Sequence, residues 1–373
     1  MNGTIRVGNL FGIPFYVAPS WFLILGLVTL SYGSELAAQF PQSGSLPYIL
    51  GLATALLLFA SVLAHELGHS FVAIRQGIEV KSITLFLFGG LASLEKESKT
   101  PAEAFWVAIA GPLVSLLLFG LVTAISLGTA ASGPLAAILG VLAYVNLSLA
   151  LFNLIPGLPL DGGNILKALI WKVTGNPYKG VVFASRVGQF IGWIAIASGL
   201  IPLLLFGSFG NFWNLLLGWF LLQNAGRAGQ SATVQEKLKG LTAADAVTPN
   251  GPVVPVHLSL REFADEFILS NVNWRRFLVI DDEGQLVGAI SVDDLRPLPT
   301  SRWAQTQVRD LMQPIEQSAV VQSNQSLLEA VMLLEQQKRS ALPVISDNGV
   351  LVGLLEKASI LHLLQKRAQA NAA

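Results

Sequence analysis

Hydrophobic residues run in long blocks through the first 230 positions and are interspersed with polar ones after that. Six stretches, 16–33, 47–74, 103–127, 134–155, 187–207 and 212–226, are apolar and carry few charges. A helix needs about 20 largely apolar residues to cross a bilayer core, so each stretch is read as a spanning helix, the sixth being short for the purpose. The start, Met1-Asn2-Gly3-Thr4, lacks a charged region ahead of a short apolar one, and the first span is expected to be retained and not cleaved as a signal peptide. A further apolar segment, 78–95, is too short to cross. Its β-branched and aromatic residues around Gly89-Gly90 predict a hairpin. Non-helical backbone at membrane depth is tolerated only against protein or a water-filled cavity, so the readings are a re-entrant hairpin beside a cavity or an interfacial loop.

Composition sharpens the division. The 373 residues are 53% hydrophobic and 12% charged, where a soluble domain carries about 25% charged residues. Seventeen charges fall in residues 1–230 and 29 in 231–373. The expected architecture is a polytopic α-helical membrane domain, 1–230, with about six spans and the hairpin, followed by a soluble α/β domain, 231–373. Balanced totals of 23 basic and 23 acidic residues give no reason to expect a nucleic-acid partner. The absence of cysteine excludes disulfides, thiolate metal sites and cysteine nucleophiles. All ten Lys and Arg before residue 231 lie in segments that six spans put on one side; the opposite loops near 34–46, 128–133 and 208–211 have none. The excess of basic residues marks the cytosolic side, so both termini are expected there.

Against that apolar background the ionisable residues inside the spans stand out. The second span contains His65-Glu66-Leu67-Gly68-His69. Helical positions i and i+4 share a face, so both imidazoles can reach one metal ion with Glu66 beside them. Neutral imidazole suits zinc, and a catalytic zinc keeps three protein ligands and one open position. The candidate third ligand is Asp161, the only carboxylate between Glu103 and Glu236. It follows Pro156 and Pro159, which break helical hydrogen bonding and turn the chain. Depth agrees: His65 lies 18 residues past Pro47, roughly 27 Å along a helix, and the fourth span delivers Asp161 just beyond its end on the same side. A satisfied polar cluster between helices is the bland alternative, but burying two histidines and a glutamate in lipid without function costs several kcal/mol. A cation transporter would use the same residues as a transit site; it needs polar groups along a path and often inverted repeats, and neither is visible.

The His65-Glu66-x-x-His69 motif, with Asn153-x-x-Pro156-x-x-Pro159-Leu160-Asp161-Gly162, resembles the site-2 protease family of intramembrane zinc metalloproteases over about the first 230 residues. The resemblance implies His65, His69 and Asp161 as ligands of one zinc ion, Glu66 as catalytic base, and Asn153 as a residue that orients substrate or stabilises an oxyanion. Ala110-Gly111-Pro112-Leu113-Val114-Ser115 looks like another family element, and its small residues equally suit close helix packing. The family carries a membrane-embedded β-element after the His-Glu span, in keeping with the hairpin. No insertion large enough for a PDZ domain is present. The implied activity is zinc-dependent endoproteolysis of transmembrane or membrane-anchored substrates, such as an anti-sigma factor or a remnant signal peptide, in a bacterial plasma membrane or a thylakoid or chloroplast membrane.

After residue 230 the chain repeats with an offset of 65. Asp245 aligns with Asp310, Pro249 with Pro314, Val256 with Val321, and Leu286-Val287-Gly288 with Leu351-Val352-Gly353. Each unit reads as strand, helix, strand, turn, strand, helix, with Glu283-Gly284 and Asn348-Gly349 as turns. This is similar to a tandem pair of cystathionine-β-synthase (CBS) domains, about 241–300 and 307–366. Such pairs commonly bind ATP or AMP and regulate an attached enzyme; homodimerisation through them stays open. Gly288-Ala289-Ile290-Ser291-Val292-Asp293-Asp294 matches the nucleotide element, implying Ser291 at phosphate and Asp294 at ribose. The second copy has Glu356 and Ser359 at these positions, and an acid beside phosphate is unfavourable.

Overall fold

Lipid tails are as apolar as leucine, so helices in a membrane are held by close packing and buried polar contacts more than by escape from water. The computed structural model describes residues 4–41, 44–86, 89–207, 209–248, 251–268, 274–315 and 320–370, and the chain divides into two compact units, Met1–Thr233 and Val234–Ala373.

The first unit comprises β1 (Ile5–Leu10), β2 (Ile13–Val17), α1 (Pro19–Gln39), α2 (Leu46–Arg75), β3 (Val80–Phe86), β4 (Gly89–Leu94), α3 (Pro101–Gly128), α4 (Gly133–Asn153), α5 (Asp161–Thr174), α6 (Pro177–Phe206) and α7 (Phe212–Leu238), whose last five residues belong to the second unit. Among the described residues, α1, α2, α3, α4 and α6 are long and apolar enough to cross a membrane. Each opens with proline in its first two positions, where a missing N–H costs nothing because the first helical amides have no partner within the helix. The start of α3 is also held by a capping box between Thr100 and Glu103.

The sixth apolar stretch forms the beginning of α7, a longer helix whose second half is polar. It runs back along α6: at Gly192, Gly199 and Gly218 a side chain would collide with the facing helix, at Leu222, Leu215 and Ile196 respectively. Two other elements differ from the sequence reading. The first span does not start at 16, because Ile13–Val17 is a strand and Pro19 begins the helix. Between α4 and α6 lies the amphipathic α5, which buries Gly162, Gly163 and Ala168.

The expected hairpin is half of a four-stranded sheet ordered β1-β2-β3-β4. β2 runs parallel to β3 with Phe15 opposite Ile83, and β3 is antiparallel to β4 with Ile83 opposite Ala92. Gly89 and Gly90 pair with Phe86 and Leu85, so they open β4 and do not form the turn; residues 87 and 88, which join the strands, lie outside the described residues. β4 is one edge of the sheet and β1 the other.

The second unit contains two small sheets: β5 (Val247–Thr248), β11 (Leu351–Glu356), β10 (Ala341–Ile345) and β9 (Val321–Gln322) in that order, and β6 (Val253–Pro255), β7 (Arg276–Ile280) and β8 (Leu286–Ser291). Each has its own buried cluster, one around Leu327, Leu342, Val344 and Leu355, the other around Phe263, Phe277, Val279 and Ile290. The repeats exchange strands. Thr248 of the first pairs with Leu354 of the second, and Gln313, 65 positions after Thr248, bridges Ala289, 65 positions before Leu354. Gln285 bridges its own counterpart Val350, which marks a local pseudo-twofold axis.

Candidate metal centre

The site is assembled where α2, α3 and α5 meet beneath β4. His65 and His69 lie one turn apart on α2, and Asp161 is the first residue of α5. Asp161 Oδ2 is 3.1 Å from His65 Nε2 and 3.3 Å from His69 Nε2, and the two Nε2 atoms are 3.3 Å apart. The opposite edges of both rings are fixed by α3. His69 Nδ1 is 2.6 Å from the Val107 carbonyl oxygen and His65 Nδ1 is 2.9 Å from Ser115 Oγ. A carbonyl only accepts, so His69 carries its proton on Nδ1 and presents the Nε2 lone pair inward. Hydrogen bonding of Nδ1 to an outer partner is how ligating histidines are ordinarily oriented.

This donor set fits zinc. Two imidazole nitrogens and one carboxylate oxygen are its usual ligands, and tetrahedral bonds of about 2.0 Å separate ligand atoms by about 3.3 Å. Three electron-rich atoms at 3.1 to 3.3 Å repel one another unless a proton or cation sits among them.

Gly111, midway between Val107 and Ser115 on the same face of α3, makes the approach possible. A Cβ there would overlap His69 Nε2 and stand 2.7 Å from His65 Nε2. Gly90 has the same role toward Glu66: a Cβ on it would lie 2.9 Å from Glu66 Oε1. The Ala92 amide is directed at the Glu66 carboxylate, so that part of the β4 edge faces the site. His65, Glu66, His69, Asn153 and Asp161 all line one cavity of about 330 Å³, shared with β4. Asn153, the last residue of α4, contributes to its wall.

Comparison with known proteins places this arrangement in a family. The family model for peptidase family M50 matches residues 53–133 and 118–195. A Synechocystis protein named as a zinc metalloprotease is 60% identical over 99% of this chain and 97% of its own length. The chain belongs to peptidase family M50, the site-2 proteases. Rip3 of Mycobacterium tuberculosis, also named as a zinc metalloprotease, is 32% identical over 98% of the chain and 93% of its own length. Among solved structures, the site-2 protease from Methanocaldococcus jannaschii is 29% identical, covers 61% of this chain and 95% of its own, and superposes with a TM-score of 0.44. The CBS family model matches residues 243–298 and 308–366, so this M50 peptidase carries two CBS domains.

Sequence reading missed three parts of the centre: the Val107 carbonyl, which no side chain signals, and the contacts of Gly111 and Ser115 with the imidazoles. In the CBS pair, Ser291 and Asp294 lie together at the end of β8 in a capping box, with the Ser291 amide donating to Asp294 Oδ2 at 2.7 Å. Ser359 takes the equivalent place in the second copy, its Oγ accepting from the Glu356 amide at 3.2 Å.

Proposed function

We propose that residues 1–230 of this M50 peptidase form an intramembrane protease domain that cleaves membrane-embedded or membrane-anchored proteins near the cytosolic face. In this reading His65, His69 and Asp161 hold one zinc ion, Glu66 is the catalytic base, and Asn153 orients the substrate or stabilises the oxyanion. The observation that carries it is the convergence of three ligand atoms beside Glu66 in a cavity bordered by a free strand edge.

Zinc, when bound, supplies Lewis acidity that polarises a peptide carbonyl and acidifies a water. Glu66 would take a proton from the attacking water and pass it to the departing amine as the peptide C–N bond breaks. The Ala92 amide faces the Glu66 carboxylate from the β4 side, and Gly90 leaves room for it. A transmembrane helix has its carbonyls tied in hydrogen bonds, so the substrate must unwind locally; the edge of β4 can take the unwound segment as an added strand. Val107 and Ser115 keep both imidazoles oriented throughout.

The concentration of basic residues on one side of the spans, with α7 returning along α6, supports cytosolic termini. The CBS pair, residues 231–373, is then cytosolic. Ser291 and Asp294 are its proposed contacts for the phosphate and ribose of ATP or AMP, through which nucleotide modulates cleavage.

Co-expression with a membrane-anchored candidate substrate tests the reading. Glu66→Gln is expected to abolish cleavage while stoichiometric zinc remains bound. Equal cleavage by wild type and variant refutes Glu66 as the base.

A further inference from the structure

The cavity has one charged feature that the hydrolytic reading leaves unused. Among the described residues lining it, Lys167 is the only lysine or arginine. Its side chain is 17% exposed, yet its partner Glu97, whose carboxylate is 3.1 Å away, is 83% exposed. The two differ in anchorage as well. Lys167 sits on α5 where that helix presses on α6, so closely that a Cβ on Gly180 would come within 2.5 Å of the Lys167 carbonyl oxygen. Glu97 belongs to the irregular 95–100 segment between β4 and α3. A sheltered ammonium on a packed helix is thus covered by an exposed carboxylate from the connection between β4 and α3, which is tied at Glu95 by the Glu79 carbonyl and at Lys99 and Thr100 by the Glu103 carboxylate.

We propose that Lys167 is a specificity-determining residue selecting substrates with a carboxylate side chain about three residues from the scissile bond, and that Glu97 occupies its place until such a substrate displaces it. The spacing follows from the helix. Lys167 is six residues beyond Asp161 on α5, about 9 Å at the helical rise, and an extended chain covers that distance in about three residues. Asn164 and Trp171 line the cavity on either side of Lys167, so the same stripe of α5 runs from the metal ligands outward.

The choice of charge has a physical consequence. Spanning segments carry an excess of Lys and Arg at their cytosolic ends; such a basic flank cannot take the place of Glu97 on Lys167 and would meet an uncovered ammonium if the pair opened, whereas a carboxylate can replace Glu97. A cation at this point therefore rejects most bystander helices and admits the minority with an acidic flank, which is discrimination by repulsion as well as attraction.

The inference rests on the protease reading of the cavity, and its test separates the two. A single-span reporter cleaved by wild type has its scissile bond mapped by mass spectrometry. Asp, Asn or Lys is then placed two to four residues away on either side. Binding to the full-length Glu66→Gln chain in nanodiscs is read by fluorescence anisotropy, and cleavage by wild type in parallel. At one position the Asp reporter is expected to bind about three- to tenfold more tightly than the Lys reporter, the scale of a partly exposed ion pair. Glu97→Gln widens this preference, and Lys167→Glu reverses it. The swapped pair Lys167→Glu/Glu97→Lys keeps whatever the ion pair contributes to folding and reverses the preference too. The same rank order in wild type and the swapped chain overturns the proposal. Cleavage that persists in Glu66→Gln overturns the protease reading instead, with the binding order still measurable.

Discussion

Replacing Gly111 with alanine tests the centre without touching a ligand. The added methyl overlaps His69 Nε2 and lies 2.6 Å from His69 Cε1 and 2.7 Å from His65 Nε2, where ordinary contacts are about 3.5 Å. Both rings must therefore move by about 1 Å. They have nowhere to swing, because their other edges are bonded to Val107 and Ser115 on the same helix that carries the new methyl. Metal sites tolerate displacements of only about 0.2 Å, and disturbing outer partners alone costs about 10- to 100-fold in affinity or activity. Gly111→Ala is expected to weaken zinc at least about 100-fold, measured by competition with a chelator of known affinity, and to lower cleavage by at least as much. Overpacking of this kind destabilises a fold by about 1–3 kcal/mol, so helix content should persist. Gly120→Ala is the control, since nothing lies within 4 Å of its Cβ position on the same helix. A Gly111→Ala protein that holds zinc and cleaves like wild type would refute the proposed centre.

Three further outcomes are expected. Ala92→Pro leaves the β3–β4 ladder standing because the Ala92 amide faces Glu66 and not β3; cleavage should drop at least about tenfold with zinc retained, and unchanged cleavage would remove the Ala92 amide as a support of Glu66. Titrating ATP or AMP into wild type and Asp294→Ala should show at least about tenfold weaker binding to the variant, an effect of the size expected for a lost charge-assisted hydrogen bond; equal affinities would remove the nucleotide site. In the soluble unit, hydrogen bonds from the Thr242 backbone and hydroxyl hold the Asp245 carboxyl below its ordinary value, and those from the Ser259 hydroxyl and backbone do the same for Glu262. Their stabilisation is complete above the ordinary carboxylate range and is lost as pH falls through the lowered native values. The melting temperature of the soluble unit should thus fall on acidification below about pH 5, less steeply in Asp245→Asn/Glu262→Gln; parallel profiles would contradict this.

The spans and the repeat were legible because their signals are long. Twenty apolar residues admit few alternatives, and an offset of 65 recurs at many positions. The ligand candidates were legible because charge is so rare there: two histidines one turn apart and a lone aspartate stand out against apolar sequence. What escaped was whatever depends on which helix crosses which. Gly111 and Ser115 are legible as part of a family element or as small packing residues, but their work at the imidazoles shows only once α3 is seen to cross α2 there. β1 and β2 are too short to announce themselves, and the end of β2 was read as the start of the first span. α5 carries lysines and glycines over 14 residues and has no length to announce it. Gly288 and Gly353 marked the repeat, but their reason is spatial: a side chain there would strike Gln313 in one case and Thr248 in the other, the residues that cross between repeats.

That crossing makes the tandem pair indivisible. Were the polypeptide shortened by one copy, Gly353 or Gly288 would face an empty channel, and whichever sheet survived would lose the contribution of the other copy, a strand in one case and a single bridge in the other. Duplication of the ancestral segment shows plainly in the letters, yet neither half can be pruned and still fold as its twin does beside it.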